Sequence, residues 1–233
     1  MKKSHSWVLF YCLTIIGVLL LAQWGSRAVT VIAETAPIVR KHCIIIDAGH
    51  GGLDGGTTSY SGVLESRYNQ EISKRLNNLL QFMGYDTKMV RTEDVSVYKT
   101  GQTIAQKKVS DLKERGKIVN ESENGLLISI HQNHFSDERY KGAQVFYAKT
   151  EGSQELAKDI QDALSATINP GSRREIKKCS GVYLMDQIKH TGVLIECGFL
   201  SNPTEDALLK TAEYQKKLCC VIGATVSQFL SNT

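Results

Sequence analysis

Several features are scarce or missing in this sequence of 233 residues, and each absence narrows its class. Only 3 residues are proline, and no Pro-rich or Ser-rich linker, internal repeat or low-complexity tract divides the chain. The 6 cysteines include no CxxC pair, which argues against a thiolate zinc site, and the chain is too long to depend on a disulfide framework. These absences favour a single domain with a sizeable hydrophobic core.

A strong excess of charge of either sign is also missing. The formal net charge is +4, but Lys2, Lys3 and Arg27 supply three of these charges and no acidic residue occurs within residues 1–28, so the remainder carries +1. A nearly neutral domain has no electrostatic basis for binding nucleic acid or an anionic surface. We therefore expect no nucleic-acid partner.

Two common catalytic signatures are absent as well. The glycine-rich stretch GHGGLDGG, at residues 49–56, is not followed by a Lys-Ser or Lys-Thr pair, so it is not a phosphate-binding P-loop. The chain has no Gly-x-Ser-x-Gly nucleophile elbow, which argues against a serine hydrolase of the α/β type.

The N-terminus has the pattern of a targeting segment. Lys2 and Lys3 precede an apolar run from Trp7 to Ala22, as in a secretory signal, and the run is just long enough for a short membrane anchor. We predict that residues 1–28 are a signal peptide or an N-terminal membrane anchor, that residues 29–41 are a short linker and that residues 42–233 form the catalytic domain. Both alternatives place the domain outside the cytoplasmic membrane, with membrane contact only through the N-terminal segment.

Strand-like apolar runs alternate with amphipathic helical patterns along the remainder of the chain. The predicted strands lie at residues 43–47, 86–90, 126–131, 142–148 and 193–197, and the longer predicted helices at 65–83, 103–121, 153–168 and 214–229. In the second of these helices, Ile104, Leu112 and Val119 are expected to face inward. The alternation predicts an α/β fold with a largely parallel, twisted sheet and helices on both faces.

Three of the predicted strands end in or just before an ionisable side chain, namely His50, His131 and Glu196. Parallel strands bring their carboxyl ends to the same edge of a sheet, where the chemistry of α/β folds is found. Glu65 opens the helix after the glycine-rich loop and can fold back over His50. Two histidines and one glutamate leave a fourth position for water, as a catalytic Zn²⁺ requires. Glu196 is then available as the general base.

Other polar residues near this edge have more than one interpretation. Asp47 either accepts a hydrogen bond from a ligand histidine or holds the turn. Arg115 could reach the polar edge from its helix, although a solvated or packed arginine is the simpler interpretation. His134 follows His131 by three residues, but residues at that spacing after a strand do not share a face, so we do not expect a ligand there.

Four ordered blocks, DAGHGGLDGG, GVLES, SIHQN and ECGFLSNP, resemble the signature of the zinc-dependent N-acetylmuramoyl-L-alanine amidase family 3. The resemblance runs from about Cys43 to the C-terminus. It implies a sheet of about six strands and cleavage of the bond between muramic acid and L-alanine in peptidoglycan. It also implies that the zinc ligands are His50, Glu65 and His131 and that the catalytic residue is Glu196.

Two positions depart from that family, which usually has proline where Ala48 stands and lysine where Ser66 stands. Neither position is a ligand, so the predicted zinc site is unaffected. Asn133, two residues beyond a ligand, is predicted to bind the substrate amide.

The stretch QKKVSDLKERGKIVN and the single domain behind a short signal most resemble the spore-cortex amidase subgroup of endospore-forming bacteria. This resemblance implies a role in sporulation and germination, at the forespore envelope or cortex, where removal of peptide stems permits muramic-δ-lactam formation. The alternatives are a vegetative cell-wall amidase in cell separation or autolysis, another zinc hydrolase of peptidoglycan such as a peptidase or deacetylase, and a non-catalytic wall-binding module.

The catalytic domain has no wall-binding repeats in its sequence. We therefore expect its affinity for peptidoglycan to be supplemented either by the N-terminal anchor or by a sporulation-stage envelope protein, since tethering raises effective concentration without new contacts. Glycine-rich segments lose much conformational entropy when they become ordered. We therefore expect such a partner to act on the glycine-rich loop.

Overall fold

The computed structural model describes residues 42–232, so the predicted signal or anchor and the linker lie outside the described residues. Six strands are present in this part of the chain: β1 Cys43–Ala48, β2 Asp86–Met89, β3 Gly125–Asn133, β4 Gln144–Tyr147, β5 Lys177–Lys178 and β6 Thr191–Phe199. The helices of the same part are α1 Glu65–Phe82, α2 Ile104–Asn120, α3 Ser153–Thr167, α4 Tyr183–Gln187, α5 Pro203–Leu209 and α6 Ala212–Asn232.

All six strands belong to one sheet, in the order β2-β1-β3-β6-β4-β5. Strands β2, β1, β3 and β6 pair with one another in the parallel sense, whereas β4 is antiparallel to β6 and parallel to β5. The predicted single α/β domain with a largely parallel sheet of about six strands is therefore confirmed.

Helices cover both faces of the sheet. On one face, apolar residues of α1, α3 and α6 pack against alternate residues of the strands, and on the other face α2 and α4 do so. In α1, Ile72, Leu76 and Leu80 recur at four-residue spacing and are fully buried. Burial of each such side chain contributes roughly 1.5–3 kcal/mol. The helix is followed by Gly84, whose positive φ of 85° is the conformation favoured just after a helix end.

Helix α2 differs from its sequence prediction at its first turn. Val119 is fully buried, but Ile104 is 70% exposed, so the prediction that Ile104 faces inward is wrong. The first turn is stabilised instead by a capping box, in which the side chains of Thr103 and Gln106 bond to each other's backbone. Local hydrogen bonding therefore fixes this helix start without apolar packing.

Within residues 42–232, no helix combines the length and the hydropathy needed to cross a membrane.

The carboxyl ends of β1, β3 and β6 lie side by side. Asp47 is opposite Ser129, and His131 is opposite Glu196, in continuous parallel register. The register shifts between His131 and Asn133, at the point where β3 leaves the core. This edge of the sheet therefore carries the ionisable residues that the sequence predicted for it.

Candidate metal centre

The structure brings three predicted ligands together at this edge. His50, Glu65 and His131 each offer a donor atom, and these atoms lie within 4.8 Å of one another, the one such group found within residues 42–232. His50 Nε2 lies 3.3 Å from Glu65 Oε2, and His131 Nδ1 lies 3.1 Å from Glu65 Oε1. Glu65 therefore stands between the two imidazole rings, whose centroids are 5.0 Å apart.

The carboxylate of Glu65 is held by donors from three parts of the chain. It accepts hydrogen bonds from the backbone amides of Thr57 and Gln132 and from the side chain of Asn69, one helical turn further along α1. Burial alone would raise the pKa of Glu65, but the rings of His131 and His50 hold it well below its usual range. The carboxylate is thus ionised and fixed in position, as a metal ligand must be.

His50 is held in an unusual backbone conformation, with φ of 59°. Its Nδ1 lies 3.0 Å from Oδ2 of Asp54, so its Nε2 is the nitrogen that faces Glu65. Burial would lower the pKa of His50, but the carboxylates of Asp54 and Glu65 raise it to about 9. Asp54 is the residue that orients this ring. Asp47 was the candidate for that task from the sequence, and Asp54 was not predicted, although it lies four residues after His50.

Two positions of the glycine-rich loop require glycine, because side chains of the cluster lie very close to the backbone there. A Cβ atom on Gly49 would clash with the imidazole ring of His131, and one on Gly56 would lie 2.6 Å from Oε2 of Glu65. The glycines therefore let the backbone pass against the predicted ligands His131 and Glu65, in addition to making the turn.

Two buried arginines lie beneath the His50 loop and bind its carbonyl groups. Arg91 donates to the backbone oxygens of Ala48 and Gly49, at 2.8 and 3.0 Å. Arg115 donates to the backbone oxygens of Ala48 and His50, at 2.9 and 2.7 Å. We call this pair the arginine clamp.

The charge of Arg115 is balanced inside the protein. Its guanidinium contacts the carboxylates of Asp47 and Asp111, each at 2.6 Å, and the side chain is only 2% exposed. Asp47 accepts a further hydrogen bond from Ser129. Asp47 therefore contributes to the turn, through Arg115, and does not contact a histidine ligand. Arg115 is packed, as the simpler interpretation held, but it also supports the loop that carries His50.

Glu196 lies in the next strand, opposite His131. Its Oε2 is buried and has no hydrogen-bond partner among the described residues. Burial, with a smaller contribution from Glu65, raises the pKa of Glu196 to about 7 against the opposing effect of the two histidines. A carboxyl group with that pKa can take up and release a proton near neutral pH.

The remaining predicted residues lie at the margin of this cluster. Asn133 is half-buried at the end of β3, and its backbone oxygen accepts a hydrogen bond from Leu200. His134 is exposed and does not belong to the three-residue group.

The residues present fit a zinc ion. Two imidazole nitrogens and one carboxylate oxygen are the donor set of many catalytic zinc sites, and they leave a position open. The unpartnered Oε2 of Glu196 adds a buried proton acceptor beside them.

Comparison with known proteins agrees with this geometry. Residues 44–228 match the family described as N-acetylmuramoyl-L-alanine amidase. The chain is 35% identical to the germination-specific N-acetylmuramoyl-L-alanine amidase of Bacillus subtilis, and the match covers 99% of this chain and 97% of that protein.

Solved structures of similar proteins extend the match to the fold. The CwlD amidase from Clostridioides difficile, solved in complex with the GerS lipoprotein, superposes with a TM-score of 0.78 at 37% identity, covering 82% of this chain and 99% of that one. An N-acetylmuramoyl-L-alanine amidase from Clostridium difficile 630 gives a TM-score of 0.73 at 29% identity, covering 83% of this chain and 99% of that one. The chain described here therefore belongs to the N-acetylmuramoyl-L-alanine amidase family.

Proposed function

We propose that this chain is a zinc-dependent amidase that hydrolyses the bond between N-acetylmuramic acid and L-alanine in the peptidoglycan of the spore cortex. The observation that carries the proposal is the cluster of His50, Glu65 and His131 beside the buried, unpartnered Oε2 of Glu196, in a chain of this family. A peptidase or deacetylase could use the same groups, but the family match favours the muramoyl amide bond.

In this proposal His50, Glu65 and His131 hold the ion. Zinc bound there supplies Lewis-acid activation of the scissile carbonyl and of the attacking water. Glu196, whose buried Oε2 has no hydrogen-bond partner among residues 42–232, would accept a proton from the attacking water and deliver it to the leaving amine of L-alanine. Asn133, at the rim of the cluster, binds the substrate amide.

The cortex as the site of action is supported by one relative of this chain. The B. subtilis protein is described as germination-specific, and it matches nearly the whole of this chain. We propose that removal of peptide stems from cortex peptidoglycan, which permits muramic-δ-lactam formation, is the role of this amidase too. We also propose an extracytoplasmic location at the forespore envelope, with residues 1–28 as a signal peptide or anchor and residues 42–233 as the amidase domain.

A protein partner is part of this proposal. The C. difficile amidase was solved in complex with a lipoprotein, GerS. By analogy, a sporulation-stage envelope protein would hold this amidase near its substrate and raise its effective concentration.

The test is mass spectrometry of purified cortex-type peptidoglycan after digestion, with metal content measured on the same protein sample. We expect free amino groups on L-alanine, intact N-acetyl groups and zinc in near-stoichiometric amount. Release of acetate with an intact muramoyl amide would identify a deacetylase, and cleavage within the stem would identify a peptidase. Either product would overturn the proposal.

A further inference from the structure

A second feature of the carboxyl edge is a basic groove on the far side of β6 from His131. The groove has a volume of about 1020 Å³. Its lining includes four basic side chains and two acidic ones, Arg139, Lys141, Arg173, Arg174, Asp137 and Glu205. None of these side chains belongs to the cluster of His50, Glu65 and His131.

Most charges of the groove are already partnered or solvated. Arg139 forms a two-pronged ion pair with Asp137 in the same loop and is largely exposed. The carboxylate of Glu205 accepts hydrogen bonds from the backbone amides of Gly142 and Phe199. Glu205 also interacts electrostatically with Arg174, but the lining still carries four basic side chains against two acidic ones.

Of these four basic side chains, Arg174 is held by contacts from several directions within residues 42–232. Its Nε donates to the backbone oxygen of Lys141 at 2.8 Å, and its Nη1 donates to Oε1 of Gln144 at 3.0 Å. Its guanidinium carbon lies 4.5 Å from the centre of the Phe199 ring. Its Nη2 has no hydrogen-bond partner within residues 42–232. The side chain is thus held in one orientation with donor capacity left over, which is how an arginine is prepared for an anion.

Gln144 connects Arg174 to the proposed catalytic residue. It stands directly opposite Glu196 in the β4–β6 pair, and its own amide nitrogen donates to the backbone oxygen of Glu175 at 2.8 Å. Gln144 is one strand spacing, about 4.8 Å, from Glu196, and its amide oxygen contacts the guanidinium, so Arg174 lies on the order of 10 Å from the Glu196 backbone.

This spacing matches the substrate of the proposed reaction, on which the inference rests. The peptide stem leaves the scissile bond at L-alanine, and consecutive Cα atoms of a peptide are about 3.8 Å apart. A carboxylate on the residue after L-alanine can therefore lie up to about 7 Å from the bond that is cut, so a side chain that binds it lies within about 10 Å of that bond.

We propose that Arg174, positioned by Gln144 and Phe199, binds the free carboxylate of the stem residue that follows L-alanine and so determines substrate specificity. The enzyme then prefers stems in which this group is ionised over stems in which it is amidated. Arg174 acts on substrate binding, whereas the proton transfer remains with Glu196.

The test uses two synthetic substrates, N-acetylmuramoyl-L-Ala-γ-D-Glu-L-Lys and its analogue with the glutamate α-carboxylate converted to a carboxamide. A hydrogen bond to a charged group is worth about 1.5–3 kcal/mol, so we expect the full chain to prefer the acid by about 10-fold to 100-fold in kcat/KM, mainly through KM. Arg174→Gln should remove the preference, with little change for the carboxamide. Lys177→Gln, which removes an exposed positive charge on β5 outside the groove lining, should keep it.

Two results would overturn the proposal. One is an equal loss of activity on both substrates in Arg174→Gln, because a structural role would not distinguish them. The other is loss of the preference in Lys177→Gln as well, because general charge would then be responsible.

Calorimetric binding of the free tripeptide L-Ala-γ-D-Glu-L-Lys and its carboxamide provides an independent readout. If the unmodified chain cleaves neither substrate, the proposed function fails, while a binding preference that depends on Arg174 still supports the anion site.

Discussion

The two sides of the candidate centre are supported very differently. On the β1 side, the loop that carries His50 has three consecutive backbone oxygens bound by the arginine clamp, and Asp54 contacts the ring itself. On the β6 side, Oε2 of Glu196 is buried without a hydrogen-bond partner among residues 42–232. The difference shows that the fold fixes the groups proposed as ligands and leaves the group proposed as base free to react.

Two glutamates of the centre, Glu65 and Glu196, also differ in pKa, although their side chains are chemically identical. The rings of His131 and His50 hold the pKa of Glu65 far below its usual range despite burial, whereas burial raises that of Glu196 to about 7. This difference in environment supports the proposed roles, which are coordination for Glu65 and proton transfer for Glu196.

Removal of a ligand is expected to have the largest effect. His50→Ala, Glu65→Ala and His131→Ala should each lower zinc occupancy and abolish hydrolysis, because a site with three protein ligands has none to spare. The measurements are metal content by mass spectrometry and release of amino groups from peptidoglycan.

His134→Ala is the matched control for the ligand series. It removes an exposed imidazole three residues after His131 and should change neither readout. Full zinc occupancy in any one of the ligand variants would remove that residue from the site.

Glu196→Gln should have the next largest effect and should separate the two sides. The variant is nearly isosteric but cannot accept a proton, so we expect zinc content to stay normal while kcat falls by about 10² to 10⁴. Turnover close to that of the unmodified chain would exclude Glu196 as the base. Loss of zinc together with activity would instead place Glu196 among the ligands.

The sheet and the cluster could be predicted because one physical rule covers both. Apolar runs that end in His50, His131 and Glu196 require parallel strands whose carboxyl ends converge, and the structure places those ends side by side. Glu65 was predictable because it opens the helix that follows the glycine-rich loop. Each of these inferences uses only local sequence and strand order.

The supporting residues could not be predicted in the same way. Arg115 is 68 residues from Asp47 in sequence, and nothing in its helix distinguishes it from an arginine in solvent. Ile104 was wrongly expected to face inward because a capping box, which is not a periodic signal, fixes the start of its helix. Long-range polar contacts and local caps both lie outside what hydrophobic periodicity reports.

Disruption of the arginine clamp should show how much the β1 side depends on it. Arg115→Met leaves the carboxylate of Asp47 buried and unpaired, so we expect a loss of about 3–5 kcal/mol in the free energy of unfolding, measured by urea denaturation. Lys117→Met, on the same helix and 54% exposed at the side chain, should change stability by less than about 1 kcal/mol. Equal stability of the two variants would show that the clamp is not required.

The smallest effect is expected at Asp54, which orients His50 without belonging to the three-residue cluster. Carboxylates that hold a ligand histidine typically contribute about 10-fold to 100-fold in metal affinity, so Asp54→Asn should weaken zinc binding by that amount while the fold stays intact.

Lys108 is a matched control, because its Nζ lies 3.0 Å from the same Oδ2 of Asp54 but its side chain is 53% exposed. Ion pairs with such exposure contribute little, so Lys108→Gln should leave zinc affinity nearly unchanged. Competition with a chelator of known affinity measures both variants. If Lys108→Gln weakened zinc binding as much as Asp54→Asn, the role of Asp54 would be that of a surface charge, and orientation of His50 would have to come from the arginine clamp alone.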